Sequence, residues 1–491
     1  MVSRGVSFLG FPSTVTVYST VWGSGCFVDV NDSWLPGIDG FDLGVFVRDF
    51  LPRARDFVVR GVARGLDETE AMLDALSRAV VDFFRSRGVR LGGEDVRRWA
   101  SLLYRGLYGY GALEPLFSLG DEVGLTDVYV TPNARVHVKL SSLGDCLTNI
   151  EPSAEEVGLL INVIGDRTGA YPTYYNPSVE TYDRSHRPVL RVSVDSFDVT
   201  DRVRVSIRVF PTRPWKLTDM VRLGTIDARL AAYLWLALEV GVPILVIGPA
   251  GSGKTSLSAA LMSALRPGLV IAKVEDIDEV VLPQELVGDY AGSVIHLLSR
   301  EGRTASVRPL PLFMRLVHAL RVGADYVFVN EVRGPEDTRA WLHAILTGQV
   351  GGATTMHAGG VDEALVRLRD YGAPVDLLSM VVVLMGRFEE KGRVVRRVVG
   401  AWVVDDGKAV VVWDGSSINE SALANLLGGR FGGVDAVIRE VGDREAFLRY
   451  YSGFDVNEAE WVRLVGLFYR ARSLVMPRGA GTGGEVLLEE S

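Results

Sequence analysis

Cysteine is almost absent: Cys26 and Cys146 are the only two in 491 residues and form no CxxC pair. Neither a disulfide framework nor a cysteine metal site is therefore indicated, which suits a reducing interior. The six histidines show no spacing that would hold zinc. Long apolar runs are missing as well. A bilayer span needs roughly 18 or more uninterrupted apolar residues, and the best candidate, residues 231–248, contains Glu239 and breaks at Gly241 and Pro243. Near the N-terminus, Pro12 and scattered Ser and Thr interrupt any signal-peptide core behind Arg4. A cytoplasmic chain is expected. Positive charge is also in deficit, with 52 Lys and Arg against 61 Asp and Glu and a net charge of −9. No basic tract is interleaved with aromatics, so nucleic acid is not an expected partner.

What is present describes a folded globular protein, 48% hydrophobic and 23% charged. The length implies two domains plus extensions. Residues 1–65 have no clear period and read as an N-terminal extension. A helix is expected from Asp67, where Glu70 completes a capping box, to Gly88. Two strands flank the turn at Thr131, Pro132 and Asn133, and Ser153 with Glu156 caps a helix that ends near Gly169. Residues 189–210 alternate as strands do. Together, residues 66–212 read as a smaller mixed α/β domain, with a linker around residues 212–216. Residues 213–410 alternate helices with short, fully apolar strands, the pattern of a parallel-rich sheet covered on both faces. A C-terminal helical segment is expected at 411–476 and a disordered tail at 477–491.

The strand expected at 243–247 runs into Gly248, Pro249, Ala250, Gly251, Ser252, Gly253, Lys254 and Thr255, followed by Ser256. This is a P-loop, the Walker A motif of nucleotide-binding proteins. Glycines let the backbone wrap phosphate oxygens with N–H groups pointing inward. Lys254 can reach the β- and γ-phosphates, the Thr255 hydroxyl can ligate Mg²⁺, and the helix that starts there adds its positive end. ATP and Mg²⁺ are the implied cofactors.

A second apolar strand, in a neighbouring position, ends in Asn330 and Glu331. At the sheet edge where ligands bind, Glu331 can polarise an attacking water and hold water on Mg²⁺. Taken alone, a strand-end glutamate has the surface ion pair as its lesser alternative. Glu275 and Asp276 follow the strand expected at 269–274, and His357 follows another at 353–356. Both positions reach the same edge, the first able to fix Mg²⁺-bound water and the second to sense the γ-phosphate. Isolated, the carboxylates would be solvated and the histidine structural.

These elements, in this order, resemble the secretion ATPase superfamily, which includes type II and type IV secretion, type IV pilus and archaellum motor ATPases. Residues 274–280 are similar to its acidic box, 320–334 to its Walker B segment and 347–358 to its histidine box. Residues 110–116, 176–179 and 205–210 resemble first-domain signatures, and the C-terminal helices resemble the archaeal branch. The resemblance implies a homohexameric, RecA-like ATPase whose first domain supplies Arg191 and Arg208 to the nucleotide. Guanidinium groups there would neutralise charge on the transferred phosphoryl. It also implies peripheral membrane association through an integral-membrane platform protein. Three positions depart from the family pattern: Asn330 replaces a glycine, Gln349 replaces a histidine, and Ser185 to Pro188 replace a glycine-bearing turn. A motor for pilus assembly or secretion is the leading reading. A conjugation-type nucleic-acid translocase and a non-hydrolysing nucleotide-binding assembly subunit are the alternatives.

Overall fold

The computed structural model describes residues 2–8, 11–19, 26–31, 68–117, 124–186, 188–196, 199–275, 279–299, 312–346, 351–390 and 393–475. Asp276, Gln349 and the tail at 477–491 lie outside these, as does the cap expected at Asp67. The chain forms two units. One is Met1–Thr212 with Glu390–Val394, and the other is Arg213–Glu389 with Val395–Ser491. Among the described residues, no helix is long and apolar enough to cross a membrane.

The first unit is built on a nine-stranded sheet. Its strands are β1 (Val2–Phe8), β2 (Phe11–Ser19), β3 (Cys26–Asn31), β4 (Leu125–Val130), β5 (His137–Leu140), β6 (Gly144–Thr148), β7 (Ser178–Asp183), β8 (Leu190–Asp195) and β9 (Arg204–Val209). Their order is β1-β2-β3-β6-β5-β4-β9-β8-β7. Helices α1 (Glu68–Ser86) and α2 (Gly93–Tyr108) pack through Leu76, Val80, Phe84, Trp99 and Leu103. Helix α3 (Ala154–Thr168) buries Val157 and Ile164 against Val128, Val138, Val192 and Ile207 of the sheet. Its capping box is formed: the Glu156 N–H donates to Ser153 Oγ at 3.2 Å, and the Ser153 N–H to Glu156 Oε2 at 2.7 Å. Gly169 closes it in the left-handed region at φ 72°.

The period-free N-terminal stretch contains three strands. In β2, Ser13 is buried on the face of Val15 and Val17 and Thr16 is buried on the opposite face, so polar residues occupy covered positions and the apolar period is hidden. Strand β3 runs parallel to β6 with Cys26 opposite Cys146. A disulfide joins the two, with their Cα atoms 4.6 Å apart. This corrects the reading that no disulfide is indicated, because a bridge made across a sheet leaves no local signature in the sequence. The turn without glycine before β8 is held by Asp183, which accepts from the Tyr110 hydroxyl at 3.0 Å, from the Ser185 and His186 backbone N–H groups and from Arg167.

The second unit contains an eight-stranded sheet ordered β12-β11-β13-β14-β10-β15-β16-β17. These are β10 (Ile244–Ile247), β11 (Ile271–Glu275), β12 (Val294–Leu298), β13 (Tyr326–Val329), β14 (Gly351–Met356), β15 (Met380–Glu390), β16 (Arg393–Asp405) and β17 (Lys408–Trp413). Strands β10 to β14 are parallel, β15 runs parallel to β10, and β17 is antiparallel to β16. The arrangement is RecA-like and parallel-rich, as expected for this half. In one detail the sheet differs from expectation: β14 lies between β10 and β13, so the acidic strand is one place removed from the phosphate strand.

Both faces of this sheet are covered. Ile244 and Val246 of β10 enter one core, and Leu245 and Ile247 enter the other. The first core is closed by α4 (Leu217–Arg222), α5 (Ala228–Glu239), α6 (Lys254–Ser263) and the C-terminal helices α10 (Glu420–Phe431), α11 (Val434–Tyr451) and α12 (Glu458–Val475). The second is closed by α7 (Leu312–Arg321), α8 (Pro335–Leu346) and α9 (Val361–Asp370). Full burial on both sides makes the strands continuously apolar.

The charge that interrupts the apolar run of α5 has a partner. Glu239 pairs with the buried Arg444 of α11, whose Nε donates to Glu440 at 2.9 Å while the guanidinium stacks over Trp235, 4.4 Å from the ring centre. Arg444→Leu is expected to cost on the order of 3 kcal/mol, since it strips the cation from Glu239 and leaves Glu440 with Arg472 alone. Urea unfolding checks this, and an unmoved midpoint would mean the network does not support the fold.

Candidate functional site

The loop after β10 is shaped by glycine. Gly248, Gly251 and Gly253 have φ of 149°, 70° and 92°, a region that disfavours side chains. Gly248 is also confined by space, because a Cβ there would lie 2.5 Å from the Met385 carbonyl oxygen on β15. Ser252 stiffens the turn by donating its hydroxyl to the Pro249 oxygen at 2.8 Å. Gly253 then caps α6, whose first turn carries Lys254, Thr255 and Ser256.

Lys254 is folded into this loop. Its ammonium donates to the carbonyls of Gly248 and Pro249, both at 3.1 Å, and lies 3.4 Å from His357 Nδ1. On the other side of that ring, His357 Nε2 is 3.1 Å from Glu331 Oε1. A neutral imidazole protonated on Nε2 satisfies both contacts, accepting from Lys254 and donating to Glu331. Arg333 completes the chain, its Nε donating to Glu331 Oε2 at 2.8 Å. Burial pulls the Lys254 ammonium below its ordinary pKa, while the charges of Glu331 and Glu279 push it back up.

Lys254, His357 and Glu331, far apart in sequence, thus meet at one edge of the parallel sheet. That edge is where the C-terminal ends of β10, β13 and β14 converge, the usual ligand edge of such sheets. Amides, a helix N-terminus and a buried ammonium resting on neutral carbonyls suit an anionic polyphosphate. Anionic oxygens would offer that ammonium roughly twice the hydrogen-bond strength. Thr255 and Glu331 carry the oxygen donors that suit Mg²⁺.

Glu275 has a different setting. It is fully buried at the end of β11, accepts the Val280 N–H at 3.2 Å and lies 3.8 Å from Lys273 Nζ. Lys273 in turn donates to the Val280 oxygen and pairs with Glu285 at 2.9 Å, and His296 Nε2 meets Glu285 at 2.8 Å. Burial works to raise the Glu285 pKa, but the hydrogen bonds from His296 and the charge of Lys273 prevail and hold it below its ordinary value. Val280 is therefore held through both its N–H and its carbonyl, which fixes the peptide that joins it to Glu279. Glu279 Oε2 accepts from the Asn330 amide at 3.3 Å. The Asn330 amide nitrogen is thus partnered while its side-chain oxygen is buried without a hydrogen bond, and its backbone carbonyl accepts from the Thr355 hydroxyl at 2.6 Å.

Arg191 and Arg208 belong to the first unit, where they stand directly opposite one another on β8 and β9. Arg191 pairs with Glu180 at 2.7 Å and Arg208 with Asp127 at 3.1 Å. Sequence reasoning singled out neither Glu279 nor Arg333. Both lie inside motifs already quoted, and a search of those segments for further charged residues finds them. Arg396 of β16, whose Nε donates to the Gly251 carbonyl at 2.8 Å, has no such local signal.

Residues 187–391 match the family described as "Type II/IV secretion system protein". The uncharacterized protein MJ0900 of the archaeon Methanocaldococcus jannaschii is 30% identical over 323 residues, which cover 64% of this chain and 56% of that protein. The type IV secretion system protein PtlH of Bordetella pertussis is 39% identical over 159 residues, covering 32% of this chain and 43% of PtlH. The chain thus spans about half the length of these curated relatives. Among solved structures, the Legionella pneumophila ATPase DotB aligns with a TM-score of 0.44 at 18% identity, over 71% of this chain and 92% of DotB.

Gly248→Ala is expected to destabilise the second unit by about 1–3 kcal/mol, because the new methyl meets a backbone oxygen at a strained φ. Thermal unfolding of the full chain measures it; wild-type stability would refute the close approach of Met385.

Proposed function

We propose that this chain, which matches the family described as "Type II/IV secretion system protein" over residues 187–391, is an ATP-hydrolysing motor for assembly of type IV pilus-like filaments or for secretion of the type II/IV kind. The observation that carries the reading is the unbroken contact from the loop lysine Lys254 through His357 to Glu331. In the proposed cycle, Lys254 exchanges the loop carbonyls for the β- and γ-phosphate oxygens of ATP, and the amides of residues 251–255 surround them. Thr255 and Glu331 hold Mg²⁺, directly or through water. When bound there, Mg²⁺ would supply charge neutralisation to the phosphates.

Glu331 orients water for in-line attack on the γ-phosphorus and accepts its proton. The bond from the γ-phosphorus to the bridging oxygen breaks, leaving ADP and phosphate. His357, released from Lys254, is placed to report the γ-phosphate to Glu331. Glu275 supports the site through Val280 and so through Glu279. Arg191 and Arg208 of a first domain contribute the guanidinium charge that stabilises the transferred phosphoryl. The working form is a homohexameric ring at the cytoplasmic face of a membrane, bound to an integral-membrane platform protein.

The test is Mg²⁺-dependent ATP hydrolysis by the purified chain across protein concentration, with Glu331→Gln and Lys254→Ala beside it. Turnover is expected to rise more steeply than linearly with concentration. It should fall by about 10²-fold or more in Glu331→Gln, which still binds ATP, and disappear with binding in Lys254→Ala. Binding without turnover in the wild type would select a nucleotide-binding assembly subunit, and stimulation by DNA a nucleic-acid translocase.

A further inference from the structure

We propose that Arg396 is a positioning residue that holds the phosphate loop in the conformation that receives nucleotide. The inference rests on the ATP-binding reading above and adds a residue from outside the nucleotide motifs. Arg396 lies on β16, in the sheet position beyond β15, and reaches the loop from its outer side. Its Nε donates to the Gly251 carbonyl at 2.8 Å. Its Cδ lies 3.3 Å from the point a Cβ on Gly253 would occupy, with Met385 Cε 3.5 Å from the same point. The guanidinium stem therefore packs against one glycine while its head grips another.

Two consequences follow from that placement. The peptide between Gly251 and Ser252 is planar, so fixing its carbonyl outward fixes the Ser252 N–H in the opposite, inward direction. That N–H rests on the Pro249 oxygen at 3.3 Å, a long bond that a phosphate oxygen can displace. Gly251, at φ 70°, has the backbone freedom to let this peptide turn over, and Arg396 removes that freedom. The second consequence is electrostatic. Arg396 is half-buried, and burial together with the neighbouring Arg387 works against its positive charge. A polyphosphate on the inner side of the loop offsets that cost, so the cation favours the loaded state.

Lysine keeps the charge and a donor that can reach the Gly251 carbonyl but not the planar fork, whereas glutamine loses the charge. This separates positioning from mere support of the fold. In the full chain, ADP affinity is measured by titration calorimetry and stability by thermal unfolding without nucleotide, for wild type, Arg396→Lys and Arg396→Gln. Arg396→Gln is expected to bind ADP about tenfold more weakly, with the unfolding temperature unmoved. Arg396→Lys should recover most of the loss, and the weakening in Arg396→Gln should shrink as salt is raised. Wild-type ADP affinity in Arg396→Gln overturns the proposal. So does an equal loss in both variants together with a lowered unfolding temperature, which would make Arg396 a packing residue. A folded wild type that binds no ADP at all defeats the ATP-binding reading itself and takes this proposal with it; only that outcome touches both.

Discussion

The ammonium of Lys254 is the constraint around which the second unit is arranged. It is buried, and a buried cation must be answered by oxygen or nitrogen lone pairs. The answer comes from the Gly248 and Pro249 carbonyls and from His357, which fold the loop back over its own lysine. That demand bears on the backbone: the positive φ values at 248, 251 and 253, which glycine accommodates most readily, shape the loop that brings the Gly248 and Pro249 carbonyls to the ammonium. It also explains the second layer of contacts. Once His357 accepts from Lys254, its other nitrogen is left as a donor and must find an acceptor, and Glu331 is that acceptor.

These side chains meet because the sheet delivers them. In parallel strands every C-terminal end lies at one edge, so residues following β10, β13 and β14 are brought together whatever their separation in the chain. The interior of the sheet contributes rigidity. With Ile244 and Val246 in one core and Leu245 and Ile247 in the other, β10 has no solvent face along which to slip register. A loop of flexible glycines is thereby anchored at its start by a strand that cannot move and at its end by a helix. The covering helices supply that anchor, and their own charges are neutralised internally by Arg444, Glu239 and Glu440.

Much of this was legible because it is local. The glycine loop, the acidic strand end, the cap at Ser153 and the αL stop at Gly169 are set by residues within a few positions of each other. What escaped is made by tertiary pairing. The strand at 11–19 escaped because Ser13 and Thr16 are buried on its two faces and hide the apolar period, and those at 2–8 and 26–31 escaped with it as its sheet neighbours. The disulfide escaped because β3 and β6 are brought side by side by the sheet alone. The order of strands escaped too: adjacency of β10 and β13 was the simplest expectation, and β14 fills the gap. Arg396 escaped because nothing near it in the chain points to a phosphate loop.

The same distinction between local and assembled properties bears on two observations that look unfavourable taken singly. Asn330, in place of a glycine, adds bulk beside Glu331. Yet its side-chain amide nitrogen donates to Glu279, which ties the added side chain to an acidic residue of the site. The net charge of −9 argues against attraction to anions only at long range. Within about a Debye length, roughly 8–10 Å, local groups outweigh distant ones. There Lys254, Arg333 and Arg396 stand near the loop and its partners, with amides and a helix N-terminus adding partial positive charge. Glu331 and Glu279 oppose them, and that opposition is useful: a site of pure positive charge would bind phosphate and keep it. In the proposed cycle, carboxylates set beside the cations would let Lys254 return to neutral acceptors after phosphate leaves, which is the condition for turning over rather than merely binding.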